Sequence, residues 1–196
     1  METTALPSSC AVALKEWASV LSAMAQGAQL LLIRKGGLIE PGSGFELASP
    51  SFVFYPTFEH QTVSYLRPDC RHYFEDALQR RAPDGQVRIE LFGLAVSSVE
   101  VQEPAVVERV SAFHIYNEAF LRQRLKWQPQ QPLVIVVVRA FRLAEPLLLP
   151  LAPHYAGCRS WVSLESAIPL EGARPVLEEP VFQQRVQTLT ALLASQ

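Results

Sequence analysis

A chain of 196 residues suits one domain. An apolar fraction of 49% against 18% charged supports a large core and excludes a disordered chain. The formal net charge of −2 excludes bulk charge as the means of recruiting nucleic acid.

Residues 1–11 read as a flexible N-terminal tail and 12–196 as a single domain. Leu14, Trp17, Leu21 and Met24 recur at three- and four-residue steps, which predicts a helix over 12–25 with one apolar face, stopped by Gly27. The run 29–35 is apolar on both faces, so it is expected as a strand inside the sheet, covered on both sides. Short hairpin arms at 38–40 and 45–47 would flank the turn at 41–44. An aromatic strand over 51–55 closes at Pro56. Arg67-Pro68-Asp69 opens a helix reaching about residue 81, with Pro in its first turn and Asp at its positive end.

Val87, Ile89 and Leu91 alternate with Arg88 and Glu90, the mark of a strand with one wet face. Gly93 and Ser97-Ser98 suggest bulges or a bend before Val99 and Val101. A helical stretch over 105–127, interrupted near Phe113, would bury Phe113, Phe120, Leu121 and Leu125. The second fully buried strand is expected at 133–138. Pro146, Pro150 and Pro153 make the following segment extended or loop-like, and a short strand at 161–164 and a last helix over 181–193 complete the chain. The fold class expected from these elements is α+β: a single domain with a mixed β-sheet and two buried central strands covered by helices.

Three cysteines without close pairing, Cys10, Cys70 and Cys158, read as reduced thiols. The N-terminus lacks a basic stretch followed by an apolar one, so a cytoplasmic location is expected. The longest apolar runs, at 133–138 and 147–151, are too short to span a bilayer, so no membrane contact is expected.

Charge is unevenly distributed. Residues 1–108 carry 8 Lys/Arg against 13 Asp/Glu, and residues 109–159 carry 7 against 2. Such a basic stretch suits an anionic partner, nucleic acid among the candidates. Arg34, Lys35, Gly36 and Gly37 form the first candidate anion site, because glycine lets backbone amides approach an anion beside two cations. This is neither a Walker loop nor a dinucleotide fingerprint. Arg122, Arg139 and Arg159 extend the anion-binding set. If the two central strands are parallel neighbours, Arg34 and Arg139 share one rim; an antiparallel pair separates them.

A second class of function is a small enzyme. Glu59-His60 could perform acid–base work, since imidazole titrates near neutrality. His114, near Tyr116 and Asn117, is a further candidate. A cation such as Arg159 beside Cys158 would favour thiolate, and His154 lies four residues before that cysteine. The bland readings are a polar loop cap for His60, a capping role for His114 or Asn117, and a packed structural loop around Tyr155 and Trp161. No metal site is expected, because the Cys/His pairs lack zinc-ligand spacing. Nor is a cofactor expected. A scaffold that binds a protein partner remains a third class, and no oligomeric state is implied.

Lys15-Glu16-Trp17-Ala18, Leu32-Ile33-Arg34-Lys35-Gly36-Gly37, Tyr55-Pro56-Thr57 with Glu59-His60-Gln61, and Tyr155-Ala156-Gly157-Cys158-Arg159-Ser160-Trp161 together resemble the bacterial family called domain of unknown function 1802. The resemblance covers nearly the whole chain. It implies no established activity. It does imply a link to DNA restriction, in which this chain would be an accessory because no restriction-nuclease motif is visible.

Overall fold

The computed structural model describes residues 6–35, 49–126, 130–157 and 160–194. The first strand, β1, spans Ser9–Trp17, and the first helix, α1, spans Ala18–Ala25. The helix expected over 12–25 is thus half strand. Ala13 and Leu14 are both fully buried although they point to opposite faces. β1 is ladder-paired on both sides, parallel to the segment around Val53 and antiparallel to that around Val162. Two ladders outweigh the local helical spacing. Residues 9–11, read as tail, belong to this strand.

All eight residues of α1 are buried. Gly27, at φ 72°, ends the turn after it; a Cβ there would stand 2.6 Å from Leu177 Cδ2. Next come β2 at Leu31–Arg34, β3 at Ser51–Thr57, and α2 at His72–Gln79 after a 3-10 turn at Pro68–Cys70. β4 runs Gln86–Val101 as one long strand. The stretch expected as an interrupted helix divides into α3, Pro104–Arg109, and α4, Glu118–Lys126. Asn117 Oδ1 accepts the Phe120 amide at 3.1 Å, capping α4.

β5 spans Leu133–Pro150, β6 Trp161–Pro169, β7 Arg174–Pro175, and α5 Glu179–Ala194. β5 continues well past the expected 133–138. Between Arg142 and Leu147 it carries extra residues relative to Leu91 and Ile89, and Pro146 falls there, where no ladder amide is needed. A second register shift between Ala95 and Ser97 lies close to the bulge expected from Ser97-Ser98.

Among the described residues the sheet has seven strands in the order β2-β5-β4-β3-β1-β6, with β7 also on β5. Only β1 and β3 are parallel, so the sheet is mixed and the fold is a single α+β domain. The two strands expected to be most buried are neighbours. However, β2 stands at the end of the order, and it pairs antiparallel with β5, Arg34 opposite Val134. Arg139 instead faces Leu94 of β4. The antiparallel alternative therefore holds, and the two arginines do not share a rim.

Alternation on β3 divides the core. Phe52 and Phe54 join the helix-side cluster with Leu21, Met24 and Phe120, whereas Val53 and Tyr55 join the other. That second cluster holds Leu164 and Ile168 of β6 together with Phe141 and Leu143 of β5. Those strands are far apart in the order, so the sheet curls over its second core. No helix among the described residues is long and apolar enough to cross a membrane.

Candidate functional site

The parallel pair β1 and β3 ends in register, Trp17 opposite Thr57. Both chains leave the sheet at this rim, and a cleft of about 670 Å³ opens beside it. Lys15 and Ala18 contribute from β1 and α1, Tyr55 to Glu59 from β3 and its exit, and Arg80 and Arg81 from the end of α2. Arg88 and Glu90 come from the wet face of β4, and Leu151, Ala152, Pro153, Tyr155 and Ala156 from the chain after β5. Its floor is apolar, since Phe54, Val87 and Leu91 are buried beneath it.

Among the described residues, four cations line this cleft against two carboxylates, Glu59 and Glu90. Glu90 Oε2 holds two of them, Arg80 Nη2 at 2.6 Å and Arg88 Nε at 3.1 Å. The Arg81 guanidinium has no carboxylate partner among the described residues; it lies 5.1 Å from the Phe58 ring centre. Lys15 Nζ donates to the Gly157 carbonyl at 3.0 Å and sits 5.7 Å from the Tyr55 ring centre. The Tyr55 and Tyr155 rings meet edge to face at 6.0 Å. Burial, then the Tyr155 and Glu59 charges, push the Tyr55 phenol above its ordinary pKa, so it stays a neutral donor. The Tyr155 hydroxyl accepts the Glu165 amide at 2.9 Å.

Of the expected site residues that are described, only Glu59 lines this cleft. It is exposed, and its amide donates to Thr57 Oγ1 at 3.1 Å. His60 is exposed on a left-handed turn, φ 60°, outside the lining. His114 is a core residue, 1% exposed. Its Nδ1 accepts the Tyr116 amide at 3.2 Å, which leaves Nε2–H to face the Val107 carbonyl at 3.3 Å. Burial lowers its pKa to about 4, so it is neutral at physiological pH. Gly36, Gly37, Cys158 and Arg159 lie outside the described residues. His154 stands 3.5 Å from Glu165. The acid–base candidates that are described do not converge.

The anion candidates that are described have structural partners. Arg34 Nη2 reaches Glu16 and the Lys15 carbonyl. Lys35 is buried, donates to the Leu125 carbonyl at 2.7 Å, and burial lowers its pKa. Arg122 pairs with Glu118 one helical turn away. Arg139 pairs with Glu179 and lies over Phe141 and Phe182. Arg142, also of the basic stretch, donates to the Ala25 carbonyl at the end of α1. Much of that stretch thus ties elements together.

Sequence reasoning missed Lys15, Arg80, Arg81 and Arg88 as a group. Arg88 and Glu90 were visible as a wet strand face, and Arg80-Arg81 as a helix end. Arg80 meets Glu90 across the short turn between α2 and β4, and Lys15 joins from β1, a convergence that no local pattern carries. Among the described residues no group of three His, Cys, Asp or Glu side chains could hold a metal.

A family model described as domain of unknown function (DUF1802) matches residues 13–188. Among solved structures the chain is similar to ASCH from Zymomonas mobilis, at 11% identity and a TM-score of 0.46, covering 90% of this chain and 93% of that one. A mutant form of that protein is similar at 12% identity and a TM-score of 0.43, covering 93% and 99%. No curated protein matches the chain.

Proposed function

Because the chain belongs to the DUF1802 family of domains of unknown function, its own cleft has to supply the functional reading, and we propose that it is a binding module for an anionic partner, nucleic acid being the class. The observation that carries this is the set of Lys15, Arg80, Arg81 and Arg88 around one apolar-floored recess, with Glu59 and Glu90 as its only carboxylates among the described residues. Cations gathered over a low-dielectric floor raise the local potential more than the same charges spread over a surface. The site is therefore this cleft and not the strand ends at Arg34 and Arg139, whose guanidiniums already face carboxylates.

The test is binding of short single- and double-stranded DNA and RNA at low and moderate salt, with Arg81→Ala beside Arg122→Ala as a surface control. Each phosphate deprived of its cation lowers the slope of log K against log salt by about 0.7 to 0.9. Salt-sensitive binding that Arg81→Ala weakens and Arg122→Ala leaves intact is expected. Absence of binding at every salt concentration overturns the reading. The resemblance to a family linked with DNA restriction puts DNA first in that test, as an accessory contact without cleavage.

A further inference from the structure

Resting on that reading, we infer that the cleft takes a nucleotide unit with a terminal phosphate and an unpaired base. The phosphate would lie on Arg80, Arg81 and Arg88, and the base in the recess beside Phe58.

Charge counts favour a terminal phosphate. Arg80 and Arg88 share one carboxylate, Glu90, and Arg81 has none among the described residues, so these three guanidiniums carry a surplus of two positive charges over Glu90. A phosphate monoester carries about −1.5 to −2 at neutral pH, whereas a diester within a strand carries only −1. Glu90 occupies one edge of Arg80 and of Arg88, yet each guanidinium offers five N–H donors in a planar fork. The remaining donors suit the three equivalent oxygens of a monoester.

Shape and wall chemistry favour a planar ring. Pro56, Phe58 and Pro153, all with flat rings, line the recess. The Arg81 guanidinium already lies over one side of Phe58, so a ring can stack on the outer face of that pair. Gln86, Thr57 and Glu59 add polar groups to the same lining. A heteroaromatic base has polar edges and apolar faces; a hydrocarbon chain has no use for the polar groups. A volume of about 670 Å³ is within the usual range for small-molecule sites. Bases inside a duplex are stacked on their neighbours, so the base must be unpaired.

The shared chemistry is the nucleoside monophosphate, whether free or at a strand end. Calorimetric titration of the whole chain compares nucleoside 5′-monophosphates with ribose 5-phosphate, the parent nucleosides and dodecyl phosphate. Nucleotides are expected to bind at least about tenfold tighter than either fragment, one ring stack and one charged contact being worth that much each. Arg81→Ala and Phe58→Ala should each remove about tenfold. Ribose 5-phosphate or dodecyl phosphate binding as tightly as nucleotide overturns the base recess but leaves the anionic-partner reading standing. Absence of any polyanion or nucleotide binding sinks both. A 5′-phosphorylated tetranucleotide binding more tightly than the free nucleotide assigns the strand end as the source; equal or weaker binding assigns the free nucleotide. Where the tetranucleotides bind, equal binding with and without the 5′-phosphate, or equal binding of single strand and blunt duplex, overturns the proposal.

Discussion

Arg34 Nη2 lies 2.7 Å from Glu16 Oε2, although β2 and β1 are separated in the sheet order by β5, β4 and β3. The same nitrogen is 2.7 Å from the Lys15 carbonyl, and Glu16 Oε1 accepts the Trp17 amide at 2.8 Å. One guanidinium thus fastens the end of β1, the start of α1 and the backbone of a cleft lysine. Its side chain and that of Glu16 are only 13% and 8% exposed.

Removing one partner of such a pair leaves the other charge buried. Arg34→Ala should cost about 3–5 kcal/mol in urea unfolding. The double variant Arg34→Ala/Glu16→Gln should lose less than the sum of the two single changes, because no uncompensated carboxylate remains. Additive losses would mean the two side chains do not interact as described.

Much of the fold was legible from periodicity, and its failures have specific causes. The buried runs at 31–34 and 133–138, the α2 helix and the final helix follow local apolar patterns, which packing reinforced. The β1–α1 boundary did not, because Leu14 and Trp17 sit at helical spacing while ladders on both sides hold that stretch extended. Arg34 was visible as a cation at a strand end; that its partner is Glu16 depends on strand order, which no local pattern carries. The cleft was least legible. Arg80, Arg88 and Glu90 meet across the turn from α2 into β4, and each residue alone reads as an ordinary solvated charge.

Gly93 shows the same dependence on tertiary context. A Cβ at this position would stand 2.9 Å from Phe52 Cε2 and from Phe54 Cε2, and 3.0 Å from Val138 Cγ1. It lies mid-sheet between Phe52 of β3 and Ala140 of β5, so the two rings occupy the space a side chain would need. Gly93→Ala should destabilise by about 1–3 kcal/mol through overpacking, despite its better strand entropy. A melting temperature equal to that of the parent would refute the close approach.

His114 predicts how stability varies with pH. Its folded-state pKa is lowered to about 4 from 6.5, because burial disfavours the imidazolium. Above pH 6.5 both folded and unfolded states are neutral here and nothing is lost. As pH falls from 6.5 towards 4 the unfolded chain gains the proton first, so stability declines across that window and levels below it. The full loss is about 3 kcal/mol. Urea midpoints at pH 7.5, 6 and 5 should fall in that order, and His114→Gln should flatten the trend. A slope unchanged in the variant would assign it to other groups.

Glu90 gives the sharpest test of the cleft itself. Its carboxylate is bound by Arg80 and Arg88 and is 17% exposed, so it neutralises cations at the place where an anion would bind. Glu90→Gln keeps shape and hydrogen-bonding atoms while removing the competing charge. A phosphate-bearing ligand should then bind on the order of fivefold tighter, about 1 kcal/mol, with a steeper dependence on salt. Thermal stability should fall slightly, since two guanidiniums lose their shared counter-charge over an apolar floor. Tighter binding together with lower stability separates a ligand site from a purely structural ion cluster. A structural cluster would lose stability and gain no affinity, and that outcome would remove the cleft as the place where an anion binds.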